Sequence, residues 1–105
     1  MDARGQVFRA LADPTRRAIF EHLVLGERSV TELVGRFDVS QPAISQHLRA
    51  LKRAGLARER RQGRYAYYRA EPAGLRPLVD WLAHYRTFWA DKLRKLETIV
   101  EEMDE

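Results

Sequence analysis

Residues 29–56, SVTELVGRFDVSQPAISQHLRALKRAGL, contain two helical patterns joined by a three-residue turn. Ser29 is followed three residues later by Glu32, which is the spacing of a capping box at the start of a short helix. Ser40 closes the turn and is a favourable N-cap for the next helix. The stretch therefore predicts a helix-turn-helix over about residues 29–54.

The second helix of this motif, from about Gln41 to Ala54, has two different faces. Ile44, Leu48 and Leu51 recur at i, i+4 and i+7, so we expect them to face the core. The opposite face is small and polar near the helix start and basic toward its end, where it carries Pro42, Ser45, Gln46, Arg49 and Arg53. Short and amide side chains at a helix start can approach base edges in the major groove, and arginine reaches phosphate or guanine. This face is typical of a DNA recognition helix.

A β-hairpin is predicted directly after the helix-turn-helix, over about residues 56–70. Leu56 to Arg61 and Tyr65 to Ala70 favour strands, and Gly63 between them can supply the positive φ of a tight turn. We expect the face with Tyr68 to pack inward. Arginines gather near the tip, where a thin ribbon can lie along a DNA backbone; they are Arg58, Arg60, Arg61 and Arg64.

Charge is concentrated in this part of the chain. Residues 40–70 contain eight lysines and arginines but a single acid, Glu59, whereas the whole chain has a net charge of only +4. Such a segment is the electrostatic signature of a polyanion binder. Charge alone fits a solvated basic face equally well. The order of the motifs, a helix-turn-helix followed by Gly-Leu and a basic hairpin, favours DNA as the polyanion.

Two helices are predicted before the motif and one after it. Phe8 and Leu11 indicate a first helix that ends near Asp13-Pro14, and a second runs from Pro14 to about Gly26 with Ile19, Leu23 and Val24 as its apolar side. The fold class is mainly α with a small β-hairpin (α+β), in the order α-α-α-α-β-β-α.

The last helix is predicted to span residues 75–103 without interruption. Twenty-nine residues make a helix about 44 Å long, whereas a domain of 100 residues has a radius of gyration near 13 Å. The helix must therefore overhang its domain, and its apolar stripe needs a partner surface. A second copy of the chain is the simplest partner; the alternative is that the aromatic side chains fill the chain's own core. The stripe includes Leu82, Tyr85, Trp89, Leu93, Leu96 and Val100.

Length and composition exclude several classes of protein. With 105 residues, 45% of them apolar and 32% charged, the chain fits one soluble domain over residues 1–105. The absence of cysteine excludes disulfides, thiol catalysis and thiolate metal sites. We find no membrane span, no secretion signal and no phosphate-binding or nucleophile-elbow motif, so we expect a cytoplasmic protein that is not an enzyme and needs no cofactor.

Several strings together resemble the ArsR/SmtB family of bacterial and archaeal winged-helix repressors, which act as homodimers. They are LADPTRR at 11–17, SQPAISQHLRAL at 40–51, AGL at 54–56 and RQGR at 61–64 followed by YYR at 67–69. The resemblance covers about residues 6–100. It implies that Ser40, Gln41, Pro42, Ser45, Gln46, His47 and Arg49 lie at the DNA, that Arg61 and Arg64 belong to the wing, and that the first helix pairs with the last, through Phe8 and Leu11 among others.

The sequence departs from the metal-sensing members of that family. It has no cysteine on the third helix, and on the last helix Asp80 and His84 share a face without a second histidine after them. The resemblance is therefore to a cysteine-free branch, and we predict no metal site. For His47, a phosphate contact and a buried structural role remain equally open. Two uses are open for the aromatic side chains of the last helix: they pack in a dimer, or they line a pocket for an aromatic effector. These side chains are Trp81, Tyr85, Phe88 and Trp89.

The resemblance implies a dimeric, autoregulatory repressor that binds an inverted-repeat operator in double-stranded DNA and does not respond to metals. The alternative is a winged-helix protein-interaction module that no longer binds DNA. Such modules lose the basic recognition face, which this chain keeps.

Overall fold

The computed structural model describes residues 2–103. Its elements are α1 (Ala3–Ala12), α2 (Pro14–Leu25), β1 (Arg28–Ser29), α3 (Val30–Arg36), α4 (Gln41–Arg53), β2 (Ala57–Gln62), β3 (Tyr65–Ala70), a 3-10 turn (Pro72–Leu75), α5 (Arg76–Ala83) and α6 (Arg86–Met103). The helix-turn-helix is α3 and α4, and the β2–β3 hairpin is called the wing below.

The predicted helix starts are confirmed by their capping hydrogen bonds. The Asp13 carboxylate accepts from the Arg16 backbone N–H at 3.0 Å. At α3 the capping box is complete, because Ser29 Oγ accepts from the Glu32 N–H and Glu32 Oε1 accepts from the Ser29 N–H, both at 3.1 Å. Ser40 Oγ accepts from the N–H of Ala43 at 3.3 Å. Each side chain satisfies a backbone group that a helix leaves unpaired at its start.

The sheet has three strands where the sequence predicted two. In the order β1-β3-β2, β3 pairs antiparallel with both neighbours, and Arg28 lies opposite Tyr68. Two residues are too few to show a strand period, so β1 could not be predicted. The wing itself is as predicted: Gln62 pairs with Tyr65, and Gly63 at the tip has φ 61°.

The core lies between the first four helices and the inner face of the sheet. Ile19, Leu33 and Leu56 are fully buried there, as are the three α4 residues that were predicted to face inward. Tyr68 is buried on the inner face of β3, which confirms the predicted wing orientation. Val24 is a correction: the sequence placed it on the apolar side of α2, but it is 55% exposed, because the core contacts of that helix come from Ile19, Phe20 and Leu23.

The C-terminal region is two helices, not the single helix predicted over residues 75–103. The N–H groups of His84 and Tyr85 bond to the carbonyls three residues back, those of Trp81 and Leu82, at 3.2 and 3.0 Å. This tighter turn interrupts the i to i−4 ladder and separates α5 from α6. The overhang is confirmed, since the chain extends 62 Å along its longest axis and has a radius of gyration of 18.2 Å. Within residues 2–103 no helix combines the length and apolar character needed to cross a bilayer.

Candidate nucleic-acid interface

The outward face of α4 carries the residues predicted to meet DNA. Burial of Ile44, Leu48 and Leu51 fixes the rotation of the helix, and the opposite side is turned to solvent. The residues exposed on that side are Gln41, Pro42, Gln46, Arg49 and Arg53, with Ser45 half-buried among them.

A groove of about 360 Å³ separates α4 from the inner face of the wing. From the helix it is lined by Gln41, Ser45, Arg49 and Lys52, and from the wing by Glu59, Arg61, Arg64, Tyr65, Ala66 and Tyr68. This wing groove brings together residues predicted to meet DNA from two separate elements of the chain. Most of its charged groups are cations, so an anion is the ligand that its electrostatics favour.

Glu59 holds the wing against α4. Its carboxylate accepts from Lys52 Nζ at 3.1 Å and from the Tyr68 hydroxyl at 2.9 Å, and Arg61 Nη2 lies 3.5 Å away. The hydrogen bonds from Lys52 and Tyr68 lower the pKa of Glu59 below its usual range. Burial, together with the bond to Glu59, raises the pKa of Tyr68 to about 12. The bond from Lys52 thus links α4 to the wing, and the bond from Tyr68 joins the two strands of the wing.

Sequence reasoning did not assign this role to Glu59, Lys52 or Tyr68. The signal that could have found it is strand alternation, because Glu59 and Tyr68 face each other across the β2–β3 ladder and share the inner side. A lone acid on the inner side of a basic hairpin needs a cationic or hydroxyl partner on the neighbouring helix.

Arg60, predicted to contact DNA, lies on the other side of the wing. Its guanidinium donates to both oxygens of Glu27, at 2.7 and 3.2 Å, and sits 4.7 Å from the centre of the Tyr67 ring. Arg60 therefore ties the outer face of the wing to the loop between α2 and β1, and the structure does not bring it into the wing groove. Arg60 is the main cause of the lowered pKa of Glu27.

Three further residues were predicted to meet DNA, namely Ser40, His47 and Arg53. Ser40 is the N-cap described above. His47 is half-buried on the flank of α4 near the start of α2, and its proximity contributes to the lowered pKa of Asp13, whose largest cause is the bond from the Arg16 backbone. Arg53 is exposed at the end of α4 and lines a pocket together with residues of α1.

A second surface, the apolar stripe, runs along α5 and α6. Leu82, Tyr85, Trp89, Leu93, Leu96 and Val100 are each between 44% and 57% exposed. Phe8 of α1 lies at its near end, edge-on to Trp81 with ring centroids 5.3 Å apart. The rings of Trp81 and Tyr85 are tilted by 59° to each other, with centroids also 5.3 Å apart. Leu11, also predicted at a dimer interface, is half-buried against the chain's own core.

No group of three or more metal-ligating side chains converges within residues 2–103. Asp80, one of the two residues considered as ligands, accepts a hydrogen bond from Arg76 Nε at 3.0 Å.

Comparison with known proteins identifies the family. Residues 11–60 match a family described as a helix-turn-helix domain. The arsenical resistance operon repressor of Escherichia coli is 46% identical over 100 residues, which are 93% of this chain and 82% of the repressor. The transcriptional repressor SdpR of Bacillus subtilis is 34% identical over 77% of this chain and 90% of its own length. The chain belongs to the ArsR/SmtB family.

A solved ArsR-like transcriptional regulator from Rhodococcus sp. RHA1 agrees with this assignment. It superposes with a TM-score of 0.72 at 34% identity, covering 92% of both chains. Because the match covers nearly the whole chain, the winged helix-turn-helix fold predicted from the sequence is confirmed. Helix α4 is the second helix of the helix-turn-helix, and we call it the recognition helix below.

Proposed function

We propose that this chain is a sequence-specific DNA-binding transcriptional repressor. The observation that carries the proposal is the wing groove, in which polar and basic side chains of the recognition helix and of the wing face one space. An α-helix is about 10–12 Å across, which matches the major groove of B-DNA at about 12 Å. Its relatives in this family include named transcriptional repressors, and no step of this function calls for enzymatic chemistry.

Roles within the interface divide by side-chain length and position. Ser45 and Gln46 stand near the start of the recognition helix, where short and amide groups reach base edges and carry sequence specificity. Arg61 and Arg64 project from the wing, where long cations meet phosphates and contribute affinity without specificity. Arg49 lies between them and can reach either a guanine or a phosphate.

The working unit in this proposal is a homodimer. The apolar stripe of α5 and α6 is half-exposed along its whole length in the isolated chain, and a second copy that covers it removes that surface from water. Two recognition helices related by a two-fold axis contact half-sites about one helical turn apart, or a small multiple of it, so the operator is an inverted repeat. We include the DNA upstream of its own gene among the targets.

A direct test compares two variants on two DNAs. The operator is first selected from a random duplex library, and a scrambled duplex of equal length serves as the reference. Gln46→Ala is expected to cost roughly 1–3 kcal/mol on the operator and little on the scrambled duplex, because a base contact matters only where the correct base is present. Arg64→Ala is expected to weaken both by a similar factor.

Two outcomes oppose this proposal. If selection enriches no sequence and the protein binds no duplex at moderate salt, the winged helix serves protein interaction and the repressor assignment fails. If Arg64→Ala abolishes discrimination while Gln46→Ala leaves it intact, the wing determines specificity and the two roles are reversed.

A further inference from the structure

A second groove lies on the other flank of the recognition helix, away from the wing. It has a volume of about 280 Å³ and is formed where α1, the start of α2 and the end of α4 meet. Each of the three helices contributes one arginine to its rim: Arg9, Arg16 and Arg53. Its floor is made of small apolar side chains, Ala10, Ala50 and Ala54. We call it the arginine groove.

The positive charge of this groove is only partly offset. No acidic side chain lines it, and within residues 2–103 none of its three arginines lies within ion-pair distance of a carboxylate. The nearby Asp13 carboxylate caps α2 through a backbone N–H, and of the three arginines only Arg16 is close enough to help lower its pKa. The Nε of Arg16 is buried and has no hydrogen-bond partner among the described residues. Three guanidinium groups around a groove that no acid lines repel one another, and an anion between them relieves that repulsion.

The position of the arginine groove relative to the wing indicates which anion it binds. On the recognition helix, Ser45, Arg49 and Lys52 line the wing groove, whereas Ala50 and Arg53 line the arginine groove. Gln46 faces outward between the two flanks. A helix that lies in the major groove has a phosphate backbone on each side of it. If the wing follows one of these backbones, the arginine groove faces the other.

We propose that Arg9, Arg16 and Arg53 form a phosphate-binding site for the DNA backbone across the major groove from the wing. This inference rests on the proposed function and extends the interface to α1 and α2, where sequence reasoning assigned no DNA contact. Guanidinium groups suit the task because their planar donors match phosphate oxygens in pairs. The alanine floor lets the backbone approach closely. Base identity plays no part in such a contact, so the site adds affinity and not specificity.

The test measures how operator affinity depends on salt. Neutralising one phosphate fewer on B-DNA lowers the slope of log K against log salt by about 0.9, so Arg9→Gln is expected to lower it by about two in a dimer. Affinity for operator and for scrambled duplex should fall by the same factor. Arg4→Gln is the matched control, because Arg4 is exposed on α1, carries the same charge and does not line the groove. Arg9→Lys should retain most of the slope.

Further measurements keep the test decisive. Arg53→Gln should repeat the Arg9→Gln result from a different helix, and an unchanged melting temperature shows that both variants fold. Calorimetry with pyrophosphate, in the absence of DNA, asks whether the groove instead holds a free anion.

Two results overturn the inference while the proposed function stands. One is operator binding by Arg9→Gln with the slope of Arg4→Gln. The other is stoichiometric pyrophosphate binding that Arg9→Gln abolishes without any change in the DNA slope. Failure of the unmodified protein to bind either duplex removes the proposed function and this site together.

Discussion

The body of the chain and its last helix use apolar residues in opposite ways. In the body, Val7, Ile19, Leu23, Leu33, Ile44, Leu48, Leu51 and Leu56 are all fully buried. In α6, Trp89, Leu93, Leu96, Ile99 and Val100 repeat at helical spacing, yet each is more than half exposed and no described residue of the helix is buried. The same kind of pattern thus produces a core in one region and an open surface in the other.

This difference shows what stabilises each region. The body buries its own apolar side chains, and each Å² of apolar surface removed from water contributes about 25 cal/mol to the stability of the fold. This contribution needs no second chain. An isolated helix in water is marginal even with good helix formers. Helix α6 therefore depends on whatever covers its stripe, and its stability should change with protein concentration if the cover is a second copy.

Charges in the stripe should have the largest effect. Leu93→Glu combined with Leu96→Glu places four unpaired carboxylates in the proposed dimer seam, and each costs several kcal/mol to desolvate. We expect dimerisation to weaken at least about a thousandfold while the body stays folded. Sedimentation at micromolar concentration, with circular dichroism as the check on folding, measures this. Leu25→Glu, on a side chain that is exposed on α2, is the control.

A folded, monodisperse monomer of the unmodified protein at the same concentration would contradict the dimer. The comparison between body and last helix would then need another explanation for the exposed stripe.

Leucine truncation should distinguish the two regions by concentration dependence. Leu48→Ala removes a fully buried side chain and should lower the free energy of unfolding by roughly 2–5 kcal/mol at every protein concentration. Leu96→Ala should destabilise only where dimers form, so its effect should fade on dilution. Denaturant titrations at two protein concentrations measure both. Equal losses for Leu96→Ala at high and low concentration would show that α6 is stabilised within its own chain.

Local signals were sufficient to predict most of the body from the sequence. Asp13, Ser29 and Ser40 cap helices because their side chains satisfy backbone groups within three residues, and such contacts are visible in the sequence itself. Gly63 likewise indicates the turn at the tip of the wing, because glycine readily adopts the positive φ that the turn requires. The recognition-helix face could be predicted because burial of Ile44, Leu48 and Leu51 determines where the other residues of that helix point.

Features that depend on distant contacts could not be predicted. Strand β1 exists only because β3 offers it an edge, and the tight turn at residues 84–85 leaves no proline or glycine signal. The ion pair between Arg60 and Glu27 joins residues that are 33 positions apart, so no local pattern indicates it. The arginine groove combines three helices and has no continuous motif.

Neutralising one carboxylate in the body and one in the last helix should change the free energy of unfolding less than the leucine truncations do. Glu59 is only 17% exposed and accepts from Lys52 and Tyr68, so Glu59→Gln should cost roughly 1–2 kcal/mol at pH 7. Folding lowers the pKa of Glu59; its contribution is therefore present above the unfolded pKa near 4.5 and is lost as the pH falls below that value. The difference between wild type and Glu59→Gln should accordingly close in acid.

The matched change in the last helix is Asp91→Asn. Asp91 pairs with Arg94, but both side chains are more than half exposed, and such surface pairs contribute about 0.5 kcal/mol or less. Unfolding titrations at pH 7 and pH 3.5 compare the two variants. Equal effects at pH 7 would mean that the bonds of Glu59 add nothing beyond those of a solvated ion pair.

Metal ions should have the smallest effect in either region. The chain contains no cysteine, so arsenite and the thiophilic metals lack the thiolate ligands that they prefer. In α5 the Asp80 carboxylate is engaged by Arg76, and two ligands from Asp80 and His84 would fall short of the four that zinc usually takes.

We therefore expect zinc, copper, cadmium and arsenite at low micromolar concentration to leave operator affinity unchanged within a factor of about two. Fluorescence anisotropy with a labelled operator, repeated with Asp80→Asn, measures this. A stoichiometric calorimetric isotherm for one of these ions, coupled to a loss of operator affinity that Asp80→Asn prevents, would instead show that a second copy completes a metal site along the stripe.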